Sequence, residues 1–502
     1  MWVKLRRAYQ VLFLSLFLFL LVVTSAGAIK GYPVGWFLWG DPLVALSTAL
    51  ASRTLAPHLL WSVPLVLVAL VFGRFFCGWM CPMGVLHHVI SYLSLKRKAV
   101  DRIAANQPRP AWQRVKYYVL VVMLGMAALG STQVGLLDPI ASTWRGLATV
   151  VVPAAANSGV AILQDERHFQ FGWLIAAVFF GALALNLIWP RFYCRVLCPL
   201  GALLGLLSKF SLFRIARQEG ACNLCKACVT DCAGAADPMG TCNTAECLMC
   251  MACLEACPKG AVTYSFLPGL GTHTTKVDLT RRRWVTAAAA GVVAVPLMRA
   301  SDAGARPAPE RIRPPGAVDE PEFLARCIKC SACMKVCPTG GLQPALLEAG
   351  LEGLWTPVLV PRVGHCEQGC TLCTQVCPTA ALTPLTVGEK IGQPPAVDPV
   401  RLGSAAIDRG RCLPWANDTQ CIVCEEVCPT SPKAIFFKEE QVRMRDGTQV
   451  LFKRPHVDLE KCIGCGICEA RCPVFDRAAI RVSSVGETRS RSNRVILKGG
   501  KV

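Results

Sequence analysis

Four apolar runs dominate the N-terminal half: Val11–Ala28, Pro57–Phe76, Tyr117–Leu137 and Gly172–Trp189. Each is near the length a helix needs to cross a hydrocarbon layer of roughly 30 Å, so the pattern predicts four spans. A fifth, shorter run, Ala287–Leu297, follows the basic stretch Thr280-Arg281-Arg282-Arg283-Trp284-Val285-Thr286. Residues 301–322 are rich in Pro and Ala and read as a linker. Further on, polar strand-like stretches such as Gln449–Arg454 appear. The first run is not read as a cleaved signal peptide. No small-residue cleavage site leads into a soluble domain, and three more apolar runs come next.

Charge gives the runs an orientation. Lys4, Arg6 and Arg7 precede the first run. Between the second and third lie Arg74, Lys96, Arg97, Lys98, Arg102, Arg109, Arg114 and Lys116, opposed only by Asp101. The other two loops are nearly balanced, with Lys30, Asp41 and Arg53 in one and Asp138, Arg145, Asp165, Glu166 and Arg167 in the other. Positive-inside logic then puts the N-terminus, the 77–116 loop and the chain after Arg191 in the cytoplasm of a bacterial inner membrane. The excess of +20 over 502 residues sits mainly in residues 1–299, which carry 27 Lys and Arg against 11 Asp and Glu. Because those cations flank apolar runs, the high pI points to membrane topology and not to a nucleic-acid partner.

The four runs form an internal repeat. Residues 74–84 read RFFCGWMCPMG and residues 191–201 read RFYCRVLCPLG; residues 41–51 read DPLVALSTALA and residues 138–148 read DPIASTWRGLA. A duplicated two-span unit folded about a pseudo-two-fold axis would bring Cys77, Cys81, Cys194 and Cys198 together. Two readings of these thiols stand: a further iron–sulfur centre at the membrane face, or a thiol–disulfide pair that relays electrons. Pro82 and Pro199 suit the first turn of a following helix, whose positive end would favour an anionic cluster. Asp41 and Asp138 also carry two readings, as N-caps of Asp-Pro helix starts and as outer-face proton acceptors for a quinol. His58, His87, His88 and His168 are too scattered to suggest haem, and His87-His88 is expected in a solvated loop.

The strongest chemical signal is cysteine spacing, with 29 cysteines in regular runs. Cys462-x2-Cys465-x2-Cys468-x3-Cys472-Pro473 sends three thiolates to one [4Fe–4S] cluster and the fourth to a partner cluster. Three thiolates at successive x2 spacing argue against zinc, which usually takes two Cys-x2-Cys pairs. Crossing predicts the sets Cys222/Cys225/Cys228/Cys257 and Cys247/Cys250/Cys253/Cys232 in a first unit. A second region would hold Cys327/Cys330/Cys333/Cys377, Cys366/Cys370/Cys373/Cys337, Cys412/Cys421/Cys424/Cys472 and Cys462/Cys465/Cys468/Cys428. Two spacings are stretched, x3 from Cys366 to Cys370 and x8 from Cys412 to Cys421. Six clusters use 24 thiols; the four repeat cysteines and a leftover Cys242 complete the count. No GxGxxG after a strand, no P-loop and no nucleophile elbow is present, so no self-contained catalytic domain is read.

These motifs carry two resemblances. Residues 1–265, with four spans, two Cys-x3-Cys-Pro motifs and a two-cluster unit, resemble the NapH/MauN family. Residues 280–502, with basic export-like flank and four-cluster unit, resemble the NapG/MauM family. Finding both in one polypeptide departs from the usual two-protein arrangement. The fold class expected is an α-helical membrane bundle, four spans plus a fifth anchor or signal segment, with α+β two-cluster ferredoxin-like domains. Domains are expected at 1–213 (membrane), 214–279 (cytoplasmic ferredoxin), 280–299 (signal or fifth span), 300–322 (linker) and 323–502 (periplasmic ferredoxin). The Arg281–Arg283 flank is similar to a twin-arginine export signal, with Ala303-Gly304-Ala305 as a cleavage point; the alternative is a basic flank on a fifth span. The resemblance implies a quinol-dehydrogenase-type relay from the membrane quinol pool to a periplasmic reductase or cytochrome. The alternatives are an electron-donating maturation factor for a periplasmic metalloprotein, as MauM/MauN resemblance would suggest, and a non-turnover redox sensor.

Overall fold

Proline and glycine divide the apolar runs, and the helices break where they do. The computed structural model describes residues 1–29, 33–54, 56–97, 102–158, 167–240, 242–266, 281–303, 310–394, 398–443, 449–490 and 493. Lys30, Lys98, Asp101, Asp165, Glu166, Thr280 and the expected cleavage point Gly304-Ala305 lie outside them. Helix Trp2–Val23 has 22 residues, about 33 Å at 1.5 Å per residue. Among the described residues it is the one helix long and apolar enough to cross a membrane.

The helices in the other three runs are shorter than a span needs, which corrects the expectation of four spans among the described residues. Pro57–Phe76 divides into a 3-10 turn Pro57–Ser62, helix Val63–Phe72, and helix Phe75–Trp79 beyond Gly73. Gly73 takes φ +70°, a left-handed conformation that ends the helix cheaply only for glycine. The third run stops helically at Ala128, before Gly130 at φ +80°. The fourth forms Gly172–Ala184 followed by a 3-10 turn, Leu185–Leu187. Two further short helices, Pro42–Ser52 and Pro139–Gly146, begin at Asp41 and Asp138.

Helix Arg281–Ala303 packs along helix Val115–Ala128. The approach is backbone to backbone, because a Cβ on Gly291 would stand 2.4 Å from the Val122 carbonyl oxygen. Small residues at such crossings let helices associate by close packing. Arg299 at its end donates to both carboxylate oxygens of Glu352, at 2.8 and 3.0 Å.

The cysteine-rich regions are closed by antiparallel strand pairs. Phe213–Arg217 pairs with Val262–Phe266 around the first unit, and Ser404–Ile407 pairs with Ile480–Ser483 around the last. Leu342–Pro344 pairs with Pro357–Leu359, and Ile435–Arg443 with Gln449–Val457. One continuous core joins Phe17, Leu38 and Trp144 of the N-terminal half to Phe323, Ile328 and Met334 of the C-terminal half. A second core, with Trp79, Ile215, Met249 and Met251, lies under the first cysteine unit.

Glu320 anchors the C-terminal half. It binds Arg313 at 2.6 Å and Arg489 at 2.9 Å, with Arg311 at 3.7 Å. Burial works to raise its pKa, but Arg313, Arg311 and Arg489 outweigh burial and hold the carboxyl at about 2. A depressed folded pKa contributes stability above the unfolded value of about 4.3, lost as pH falls toward 2. Glu320→Gln is therefore expected to destabilise this half by about 3 kcal/mol at neutral pH. The difference from the parent should shrink between about pH 4.5 and 2 in denaturant unfolding; a pH-independent difference would refute the charge assignment.

Candidate iron–sulfur and redox sites

Each regular cysteine run brackets its middle cysteine with two left-handed residues. These are Leu224 and Lys226, Met249 and Met251, Lys329 and Ser331, and Gly464 and Gly466. Six of the eight are not glycine, and each such position costs on the order of 1 kcal/mol or more. The strain persists because the curl turns three successive thiols inward. The stretched runs beginning at Cys366 and Cys412 lack this bracket. There Lys390 does part of the work, donating to Cys366 Sγ at 3.2 Å and to the Glu367 and Cys370 carbonyls at 2.6 Å.

The thiols gather in the crossed sets. Cys337, Cys366, Cys370 and Cys373 line one cavity, and Cys327, Cys330, Cys333 and Cys377 another. A third is lined by Cys412, Cys421, Cys424 and Cys472, and a fourth by Cys232, Cys247, Cys250 and Cys253. Cys222, Cys225, Cys228 and Cys257 interact electrostatically, as do Cys462, Cys465, Cys468 and Cys428. Cys242, left over in the sequence count, lines the cavity of the Cys232 set and contacts Cys247. Its distance in sequence from any spacing pattern hid it.

Burial pushes the Cys330 and Cys465 thiols up to about 12, so protein alone leaves them protonated at neutral pH. Thiolate ligation by iron would reverse this. Among the described residues, no three Cys, His, Asp or Glu side chains close tightly enough for a single metal ion. Four thiols per set, three from one run and the fourth from its partner, suit a multi-iron group.

The sets are strung together. Cys253 interacts with Cys228, Cys333 with Cys373, and Cys468 with Cys424. The Cys366 amide donates to the Cys465 carbonyl at 2.8 Å, joining the Cys366 and Cys462 sets. The Cys327 turn lies against the N-terminal half. A Cβ on Gly135 would stand 1.7 Å from the Ile328 carbonyl oxygen, and Arg145 donates to the Gly135 and Lys329 carbonyls at 2.9 and 3.0 Å. At the opposite end, Trp79 Nε1 donates to the Met249 carbonyl at 2.8 Å, and Arg74 to the Ala245 carbonyl at 2.9 Å.

In the two repeat motifs, Pro82 and Pro199 open helices Pro82–Arg97 and Pro199–Leu207. Cys81 and Cys198 are buried and sit at the caps, their Sγ atoms accepting from Gly84 N at 3.4 Å and Gly201 N at 3.2 Å. Cys77 and Cys194 are partly buried. All four thiols interact with one another.

Asp41 and Asp138 are both fully buried N-caps. Asp41 Oδ1 accepts from Leu43 N at 2.8 Å and Val44 N at 3.3 Å; Asp138 Oδ2 accepts from Ile140 N at 2.9 Å and Ala141 N at 2.8 Å. The remaining oxygens, Asp41 Oδ2 and Asp138 Oδ1, meet no donor, while the two carboxyls lie within hydrogen-bond reach of each other. Two carboxyls in that arrangement share a proton. His87 is corrected: it is fully buried in helix Pro82–Arg97, stacked on Tyr193 at 5.8 Å. The helix begun by Pro82 carries it inside.

Comparisons with known proteins agree with this chemistry. A 4Fe-4S binding domain model matches residues 56–99 and 171–218, and a 4Fe-4S dicluster domain model matches residues 419–475. The chain is 34% identical over 179 residues to the ferredoxin-type protein NapG of Escherichia coli, covering 36% of this chain and 72% of NapG. It is 34% identical over 173 residues to the methylamine utilization ferredoxin-type protein MauM of Methylorubrum extorquens, covering 34% of this chain and 71% of MauM. Protein NirI of Paracoccus denitrificans is 32% identical over 200 residues, 39% of this chain but 26% of NirI. No solved structure matches. The chain carries 4Fe–4S domains, and it belongs to the family of ferredoxin-type electron-transfer proteins that includes NapG and MauM.

Proposed function

We propose that the chain is a quinol-dehydrogenase-type relay, a NapH-like four-span membrane part fused to a NapG-like exported ferredoxin. Electrons would pass from the membrane quinol pool to a periplasmic reductase of a nitrate-reductase-like system, or to a cytochrome. One observation carries this reading: the Cys327 turn is seated directly on the N-terminal half, against Gly135 and Arg145. A ferredoxin unit held there needs no diffusing carrier to reach the membrane domain.

The six crossed cysteine sets would hold six [4Fe–4S] clusters, which when bound exchange single electrons. The chain's own residues do the positioning. Lys390 neutralises and orients the stretched Cys366 run, left-handed turns aim the thiols of the four regular runs, and Arg145 ties the N-terminal half to the Cys327 turn. Asp41 and Asp138 would accept protons as a quinol is oxidised. In this reading the N-terminus and the 214–279 unit are cytoplasmic, and residues 323–502 are periplasmic. The flank Arg281–Arg283 would then engage twin-arginine export or set the orientation of a fifth span.

The test is quinol-driven reduction of the clusters. Anaerobically prepared full-length protein in sealed vesicles is expected to bleach in the visible region when a reduced quinol is added. Bleaching by dithionite but not by quinol would overturn the relay.

A further inference from the structure

We propose that Cys77, Cys81, Cys194 and Cys198 hold a seventh, iron–sulfur centre inside the N-terminal half, between the Cys232 set and the Cys327 set. Its role as a link rests on the relay reading; its existence does not.

The two motifs interlock reciprocally. Arg191, which opens the second motif, donates from Nη1 to the carbonyl of Cys77 in the first, at 3.2 Å. Arg74, which opens the first, reaches into the second: a Cβ on Gly201 would stand 2.7 Å from Arg74 Nη2 and 3.4 Å from Cys198 Sγ. Each repeat thus supplies an arginine to the other's cysteine turn. That exchange is what a site shared across a pseudo-two-fold axis requires.

The surroundings suit an anionic group. Arg74, Arg191 and Lys116 are buried around the thiols, and Glu246 is the buried acid that pairs with Arg74 and Lys116. Two helix N-termini point their free amides at the same place, those of Pro82–Arg97 and Pro199–Leu207. At each, a glycine amide donates to the capping thiol. Four bare thiolates would carry about −4 in this buried space, whereas the same four thiolates around an oxidised cluster core bring only about −2. The matched stretches 56–99 and 171–218 contain just these two cysteines apiece, so a four-thiol site needs both.

The centre has a neighbour on each side. Toward the Cys232 set, Arg74 interacts with Cys77, Cys198 and Cys247, and the Leu248 carbonyl presses on Gly78. Toward the Cys327 set, Tyr193, next to Cys194, donates to the Leu137 carbonyl, and Gly135 touches Ile328. The chemistry is one-electron exchange. A reduced neighbouring cluster loses one electron, the oxidised centre gains it, and the centre then returns it to an oxidised cluster on the other side. No bond forms or breaks, and no proton is needed.

The test counts iron and acid-labile sulfide in anaerobically purified full-length protein. Six cubanes account for about 24 iron atoms; a surplus of two or four is expected, with its own signal in low-temperature electron paramagnetic resonance. Cys81→Ser with Cys198→Ser should remove only the surplus and its signal. Those variants should also lose reduction of the Cys327–Cys472 clusters by dithionite confined to the other membrane face. A parent protein at about 24 iron, with thiols that alkylate only after disulfide reduction, would overturn the centre in favour of a dithiol pair. The parent count decides even if the variants fail to insert. Surplus iron without quinol-driven reduction would support the centre and sink only the relay.

Discussion

Glu246→Gln is expected to loosen the first cysteine unit from the N-terminal half more than any other single change outside the thiols. Glu246 is buried and receives Arg74 at 3.3 Å, Tyr117 at 3.2 Å and Lys116 at shorter range. The amide keeps the shape and some hydrogen bonds but leaves two buried cations without a counter-charge. Removing one partner of a buried ion pair costs about 3–5 kcal/mol, because the partner stays desolvated and unpaired. Glu246 immediately precedes Cys247, so the loss falls on the turn that holds the Cys232 set. Limited proteolysis should cut within residues 218–261 of the variant and spare the parent. Adding Lys116→Met removes one stranded cation, so the double variant should be protected better than Glu246→Gln alone. Equal resistance in all three would show that the ion network does not hold the unit.

Much of this architecture was legible because the signals were local. Cysteine runs encode their own turn, and the crossed assignment needs only a spacing rule, which is why the thiols of Cys327/Cys330/Cys333/Cys377 and of Cys412/Cys421/Cys424/Cys472, far apart in sequence, line common cavities. The Asp-Pro starts were equally readable, since Asp as N-cap and Pro at the first helical position are chemically independent reasons for one boundary. What stayed hidden depends on partners far along the chain. Hydropathy registers apolar length but not a left-handed Gly73 or Gly130, so helices were expected to run on where they stop. His87 looked solvated because it falls in the 77–116 segment whose later residues, from Lys96 on, are basic, whereas its neighbour in space is the Tyr193 ring. Cys242 belongs to no spacing pattern and joins the Cys232 set only through the fold. The carboxyl pair is the same case at its sharpest: two caps 97 residues apart in sequence lie within hydrogen-bond reach of each other.

That pairing changes what the two aspartates are expected to do. As separate caps, each would contribute about 1 kcal/mol, and either could be replaced by Asn at little cost. As a pair with no exposed surface and within hydrogen-bond reach, near Cys81, Tyr193 and Arg145, they form a site able to hold one proton between them. An Asn amide at either position still caps its helix and donates to the remaining carboxylate, so Asp41→Asn and Asp138→Asn should insert and bind iron as the parent does. What each loses is a site that takes up and releases a proton. If the pair serves quinol oxidation, the rate of quinol-driven cluster reduction should fall by about 100-fold in either variant, the range for a positioned proton acceptor. Reduction by dithionite should be unchanged, since that route asks nothing of the carboxyls. Asp41→Leu makes the contrast, for it loses the cap and strands Asp138, and it should accumulate poorly. Should both Asn variants oxidise quinol at the parental rate across pH, the pair is a structural clasp between the two repeats, and the quinol protons leave by another route.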